Sequence, residues 1–203
     1  MSPPILSAVP HLPPLTVFDV ETTGLDPKKG HRIVEIAGVR IENGTILEES
    51  AFTSLVNPER DIPWEVKQIN HITEELVAGA PTIMTVLPQF LEFAKGSLLI
   101  AHNAAFDMSF LQSEKEFCWG YIELPHCLCT MRLSQTLFPS AFRHNLDALA
   151  ERLSLQLPTP EQRHRALPDV LLTAKALQAM VQKAQIHSLE ELKRKAGLAA
   201  VAV

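Results

Sequence analysis

Cysteine is scarce: the chain has only Cys118, Cys127 and Cys129 among 203 residues. So odd and sparse a set makes no disulfide framework, and it points to a reducing cytoplasm. Long apolar runs are also missing. A membrane-spanning helix needs about 18 or more apolar residues in a row, and none is present, so no contact with a membrane is expected. The N-terminus lacks the basic and apolar blocks of a secretory signal, so none is expected. Positive charge is in deficit, with 18 Lys and Arg against 23 Asp and Glu and a formal net charge of −5. A protein that coats long stretches of phosphate backbone is usually basic. Any nucleic acid handled here should therefore be touched over a few nucleotides, with bound cations supplying much of the positive charge.

What is present is ordinary soluble composition, 46% hydrophobic and 20% charged. The length suits one α/β domain with a substantial core and is marginal for two. Five prolines fall within residues 1–14 and predict an extended leader. Residues 15–184 should form the main domain, and 185–203 a short helical extension in which Ser188 and Glu191 make a capping box. Three β-type segments come first, at 15–20, 32–42 and 45–56, the last two joined by the tight-turn pair Asn43-Gly44. Further strands are expected at 97–101 and 122–128. Helical spacing marks 63–69, 81–95, 104–117, 130–137, 145–153 and 165–182. Strands followed by alternating strand and helix imply a mixed sheet with helices packed on it.

The informative residues are carboxylates inside apolar patterns. Asp19 and Glu21 lie two apart at the end of the first strand and so share a face. Side by side they repel, unless a cation lies between them or one takes up a proton. Magnesium and manganese ions prefer such oxygen ligands, although the pair alone also fits a solvated strand end. Asp107 falls where an apolar strand turns into a helix, a place where α/β sheets collect ligands and where a helix dipole also favours a carboxylate. Asp169 follows Pro168 near the start of another helix, with His164 just before it. Histidine is the natural general base for drawing a proton from water near neutral pH. Four carboxylates and one imidazole match what two-metal phosphodiester hydrolysis requires.

In this order the residues resemble the DEDDh exonucleases, most nearly the branch of the proofreading epsilon subunit of bacterial DNA polymerase III and its stand-alone relatives. The first family motif is read in Phe18-Asp19-Val20-Glu21-Thr22-Thr23-Gly24-Leu25, the second in His102 to Asp107, and the third in His164 to Asp169. Weaker matches are Ile33 to Ala37, Leu55 to Pro58, and His71-Ile72-Thr73. The resemblance implies a ribonuclease H-like fold: a mixed five-stranded sheet, three antiparallel strands first and parallel additions after, flanked by helices. It implies that Asp19, Glu21, Asp107 and Asp169 bind two Mg²⁺ or Mn²⁺ ions and that His164 is the general base. Thr22, Thr23, Gly24 and Leu25 would meet the terminal nucleotide, with Leu25 wedged against its base, and His102, Asn103 and Phe106 would border the strand near the second motif. The expected substrate is the 3' end of single-stranded or frayed DNA. RNA is the alternative, because the scissile phosphodiester is the same and only sugar contacts read the 2'-hydroxyl. No polymerase domain fits in 203 residues, so proofreading would act through a polymerase subunit in trans. A non-catalytic polymerase-associated subunit should lack a ligand or the base, and all five positions are filled.

Four positions depart from the usual family pattern. His71 stands where many relatives have glycine, Pro168 and Val170 flank Asp169 where smaller residues are commoner, and Cys129 replaces a frequent aspartate. None removes an expected ligand. His126, Cys127 and Cys129 lack half of a zinc site, so buried strand cysteines are the expected account.

Overall fold

Alternation of side chains assigns the layers. The computed structural model describes residues 12–118, 123–159 and 164–197, and β1 (Leu15–Thr22) runs through the middle of its sheet. Successive strand residues face opposite sides, so Phe18 and Val20 enter one core while Leu15 and Val17 enter the other. β2 (Ile33–Glu42) pairs with β1 antiparallel, sending Ile36 into the first core and Ala37, Val39 and Ile41 into the second. Asn43 and Gly44, both at positive φ, turn the chain into β3 (Thr45–Ile46). β4 (Phe52–Leu55) also pairs with β2. β5 (Leu98–Ala101) and β6 (Cys127–Cys129) then add in parallel beyond β1.

The sheet has six strands where five are expected. The segment 45–56 is broken because Glu48, Glu49 and Ser50 form a 3-10 turn. These three polar residues offer no apolar face to either core. The strand expected at 122–128 shortens to 127–129, with 119–122 outside the described residues.

Helices α1 (Trp64–Asn70) and α2 (Glu74–Val77) follow β4. Helices α3 (Ile83–Phe93) and α4 (Ala104–Phe117) cover the first core through Val86, Leu87, Phe90, Met108, Phe110 and Leu111. The second core is closed by α5 (Thr130–Leu137), α6 (Leu146–Arg152), α7 (Ala166–Lys183) and α8 (Leu189–Ala196). Leu133, Leu149, Val170, Leu177 and Leu192 are their buried contributions. Ser188 caps α8 by accepting from the Glu191 N–H at 3.2 Å. Of the leader, residues 1–11 lie outside the described part, and Leu12 packs against the second core. No described helix is long and apolar enough to cross a membrane. The three cysteines are free and buried, and burial pushes the Cys127 thiol well up.

One buried ion pair ties α4 to the sheet. Glu114 accepts from Arg32 Nε at 3.0 Å and from the Ile33 N–H at 2.9 Å, with Arg32 Nη2 at 2.8 Å. The Arg32 guanidinium also lies over the Phe117 ring, 4.0 Å from its centroid. Removing one partner strands the other, so Glu114→Ala should cost ~3–5 kcal/mol. Urea unfolding checks this, and a loss below about 1 kcal/mol would contradict it.

Candidate active site

The sheet opens where its parallel ladder stops. β5 pairs with β1 only over Leu15, Thr16 and Val17, so the edge of β1 beyond Val17 has no strand beside it. Asp107, in the first turn of α4, fills that edge by accepting from the Val20 N–H at 3.3 Å. Asp19 and Glu21 leave β1 on the face that carries α7. Glu35 on β2 lies directly across from Glu21 in the strand register. Asp169 enters from the first turn of α7. Asp107 is 1% exposed and Asp169 8%, which is rare for carboxylates unless they are paired.

These side chains feel one another. Burial, followed by the charges of Asp107, Glu21, Asp169 and Glu35, pushes the Asp19 carboxyl well above its usual range. Burial, followed by Asp169 and Glu35, does the same to Glu21, and a hydrogen bond from Asn70 partly offsets it. Burial raises Asp107 to about 7, against the pull of the Val20 N–H. The four carboxylates expected at the site therefore share one neighbourhood. Among the described residues no three His, Cys, Asp or Glu side chains already stand at metal-ligating separation. The cluster is a gathered set of oxygen donors rather than a closed coordination shell. Its chemistry fits hard divalent cations: only oxygen ligands, an excess of negative charge, and mutual repulsion that a cation would relieve.

His164 is exposed, adopts φ 58°, and makes no hydrogen bond to another described residue. Residues 160–163 just before it lie outside the described part. The next residue, Arg165, is anchored: its Nη2 and Nε donate to the two oxygens of Glu35 at 2.7 and 3.0 Å. The Ala166 N–H also donates to Glu35 Oε2 at 3.0 Å. Hydrogen bonding to Glu35 raises the pKa of Arg165 further.

The turn after β1 is braced from within. Thr22 Oγ1 donates to the Gly24 carbonyl at 2.6 Å, and Thr23 Oγ1 accepts from the Arg32 N–H at 3.0 Å. Both hydroxyls thus serve the turn, and both side chains are buried. Leu25 projects from it, 85% exposed. The His31 ring packs directly on Gly24, and its Nδ1 is 3.2 Å from Thr23 Oγ1. A Cβ at residue 24 would collide with that ring. Gly24→Ala should therefore expel His31 and cost ~1 kcal/mol, and adding His31→Ala should restore most of it. Thermal melts of the single and double variants check this; equal melting temperatures for Gly24→Ala and the parent would refute it.

Asn70, at the end of α1, points Nδ2 at the Thr22 carbonyl at 3.4 Å and accepts from the Ile72 N–H at 3.1 Å. His71 follows at φ 58°, a left-handed position of the kind that suits glycine. At the second motif, Asn103 is also left-handed and exposed, and Phe106 packs on Phe110 with centroids 5.0 Å apart. His102 Nδ1 lies 2.9 Å from Thr130 Oγ1 on α5, and burial lowers its pKa to about 4, leaving a neutral ring. Glu35 and Asn70 shape the site although the sequence pattern assigns them no role. His31, which the sequence reads as part of a basic cluster with Lys28, Lys29 and Arg32 that would touch the substrate backbone or lie in a solvated loop, packs on Gly24. Glu35 carried the same signal as Asp19, a charge inside the apolar run Ile33 to Ala37.

Known proteins resemble this chain in sequence and in fold. The family model RNase_T, described as Exonuclease, matches residues 16–177. A DNA polymerase III subunit epsilon-like protein of Rhodobacter capsulatus is 46% identical over 160 residues, 79% of this chain and 22% of that protein. DNA polymerase III subunit epsilon of Rickettsia typhi is 38% identical over 168 residues, 81% of this chain and 72% of that protein. Among solved structures, Exonuclease X in complex with 5' overhanging duplex DNA superposes with a TM-score of 0.72 at 32% identity, covering 90% of this chain and 99% of that one. The nuclease domain of 3'hExo, a DEDDh family member bound to rAMP, shares the fold at a TM-score of 0.72 and 20% identity, over 84% of this chain and 92% of that one. The chain belongs to the exonuclease family, among the DEDDh 3'→5' exonucleases related to DNA polymerase III epsilon and Exonuclease X.

Proposed function

We propose that this exonuclease removes nucleotides from the 3' end of single-stranded or frayed DNA, releasing 5'-mononucleotides. The observation that carries this reading is the convergence of Asp19, Glu21, Asp107 and Asp169 from β1, α4 and α7 on one charged neighbourhood. These four would hold two Mg²⁺ or Mn²⁺ ions. Such ions, when bound, stabilise the attacking and leaving oxygens of an in-line displacement. His164 takes the proton of the attacking water. Leu25, held out by the braced turn, meets the terminal base, while Thr22, Thr23 and Gly24 shape the floor beneath it. His102, Asn103 and Phe106 border the strand on the α4 side. DNA is favoured over RNA because the two relatives described above are named for DNA polymerase III and the Exonuclease X structure, at 32% identity, holds duplex DNA. A polymerase partner in trans follows from the names of the epsilon relatives alone. Three free, buried cysteines suit a cytoplasmic setting.

End-labelled DNA and RNA oligonucleotides, with free or blocked 3' ends, test this with and without Mg²⁺ or Mn²⁺. Stepwise shortening of DNA from a free 3' end, dependent on the cation, is expected. Asp19→Ala should lower the rate ~10³-fold or more, given what removal of a single catalytic group costs, while far-UV circular dichroism stays unchanged. Near-full activity in that variant would end the ligand assignment, and faster loss of RNA would move the substrate.

A further inference from the structure

Glu35 is an expensive residue for this fold. It is 3% exposed, and it sits across from Glu21 in a neighbourhood already crowded with negative charge. A buried ion pair is often no more stabilising than apolar side chains of the same volume. Stability alone therefore gives little reason for a carboxylate there. What the pair does provide is geometry. One carboxylate takes three donors from two consecutive residues: Arg165 Nη2 at 2.7 Å, Arg165 Nε at 3.0 Å and the Ala166 N–H at 3.0 Å. A planar guanidinium fork on a carboxylate fixes orientation as well as distance. The chain is thus pinned to β2 at the residue after His164. His164 itself is exposed and lacks a side-chain anchor among the described residues. Its φ of 58° lies in the left-handed region, which histidine visits more than most residues but still uncommonly, and the anchored residues 165 and 166 follow it directly.

We propose that Glu35 and Arg165 are positioning residues that fix the His164 imidazole relative to Asp19 and Glu21 through the backbone of residues 164–166. The inference rests on the reading of His164 as the general base. It assigns the clamp no contact with substrate and no share in holding cations.

A double-mutant cycle tests it, using the p-nitrophenyl ester of thymidine 5'-monophosphate as substrate and Mn²⁺ as cation. Arg165→Lys keeps the charge and loses the fork, and Glu35→Gln/Arg165→Met leaves no buried charge behind, so neither relies on a stranded partner. Each should lower kcat ~30-fold, as expected for a misplaced base. KM and the half-saturating Mn²⁺ concentration should stay within about twofold of the parent, a split that a general loosening of the carboxylate cluster would not give. In a His164→Ala background, where the base is already gone, the same changes should have no further effect. Equal losses in both backgrounds would overturn the clamp and leave the base assignment standing, as would an unchanged kcat in both clamp variants. Full activity of His164→Ala alone would remove the base assignment, and the clamp's proposed purpose with it.

Discussion

Replacing Asp107 with asparagine is expected to abolish hydrolysis and, at the same time, to stabilise the cation-free protein. The activity loss should be ~10³-fold or more, the range seen when an essential catalytic group is removed. The gain in stability follows from the same residue. Asp107 is buried, and ionising it near neutral pH is unfavourable enough to raise its pKa to about 7. Asparagine keeps an oxygen to accept from the Val20 N–H, removes the charge, and relieves Asp19, which Asp107 pushes upward. At pH 8 the variant should melt several degrees above the parent, since ~1 kcal/mol moves the midpoint of a domain this size by about 2–4 °C. Differential scanning calorimetry in EDTA, paired with an oligonucleotide assay, measures both effects. A variant that melts below the parent would show that Asp107 is not held against its own charge.

The second large effect is an inverted dependence of stability on pH. The folded pKa of Asp107 stands above its ordinary 3.8, at about 7, and those of Asp19 and Glu21 are raised too. Between those limits the folded chain binds more protons than the unfolded chain, so stability falls as pH rises. The contribution of such a group is fully present below pH 3.8 and is lost as pH passes about 7. For Asp107 the loss is at most ~4 kcal/mol. Glu74 has the opposite sign: a hydrogen bond from Lys67 lowers it from its ordinary 4.5 to about 2, so its effect is complete above about pH 5 and adds no slope from there to pH 8. The cation-free protein should therefore melt lower at pH 8 than at pH 5. Mn²⁺ or Mg²⁺ should raise the midpoint at pH 8 and do little at pH 5, where protons compete for the same oxygens. A midpoint that rises steadily from pH 5 to pH 8 without cation would contradict the charged cluster.

Much of this was legible beforehand, for identifiable reasons. Helices α4 and α5 begin and end where the sequence pattern predicts them, at Ala104–Phe117 and Thr130–Leu137. Both follow short apolar strands, so the change of period is abrupt. Asp19, Glu21, Asp107 and Asp169 stood out as charges inside apolar or capping patterns, and distance in sequence did not hide them because each carried its own local signal. Other features had no such signal. α2 is a single turn, too short for a periodicity, and α3 stops short of its predicted limits. The break between β3 and β4 depends on three polar residues that a β-type reading of 45–56 passes over. The partners of Glu35, Asn70 and Glu114 lie far along the chain, and a pairing across 130 residues leaves no trace in local spacing. The brace of His31 on Gly24 depends on how a turn folds back on itself, which composition does not encode.

The placement of Asp169 on α7 has a consequence for biosynthesis. β1, β2 and α4 come first in the chain and can assemble while the remainder is still being made. The charged cluster stays incomplete until the segment carrying α7 has cleared the ribosome and docked across β1 and β2. If the proposed ligands are right, a nascent chain in which α7 has not yet docked would hold only three of the four carboxylates. On that reading its capacity to cut would arise only when α7 docks and brings the last of four mutually repelling groups into place.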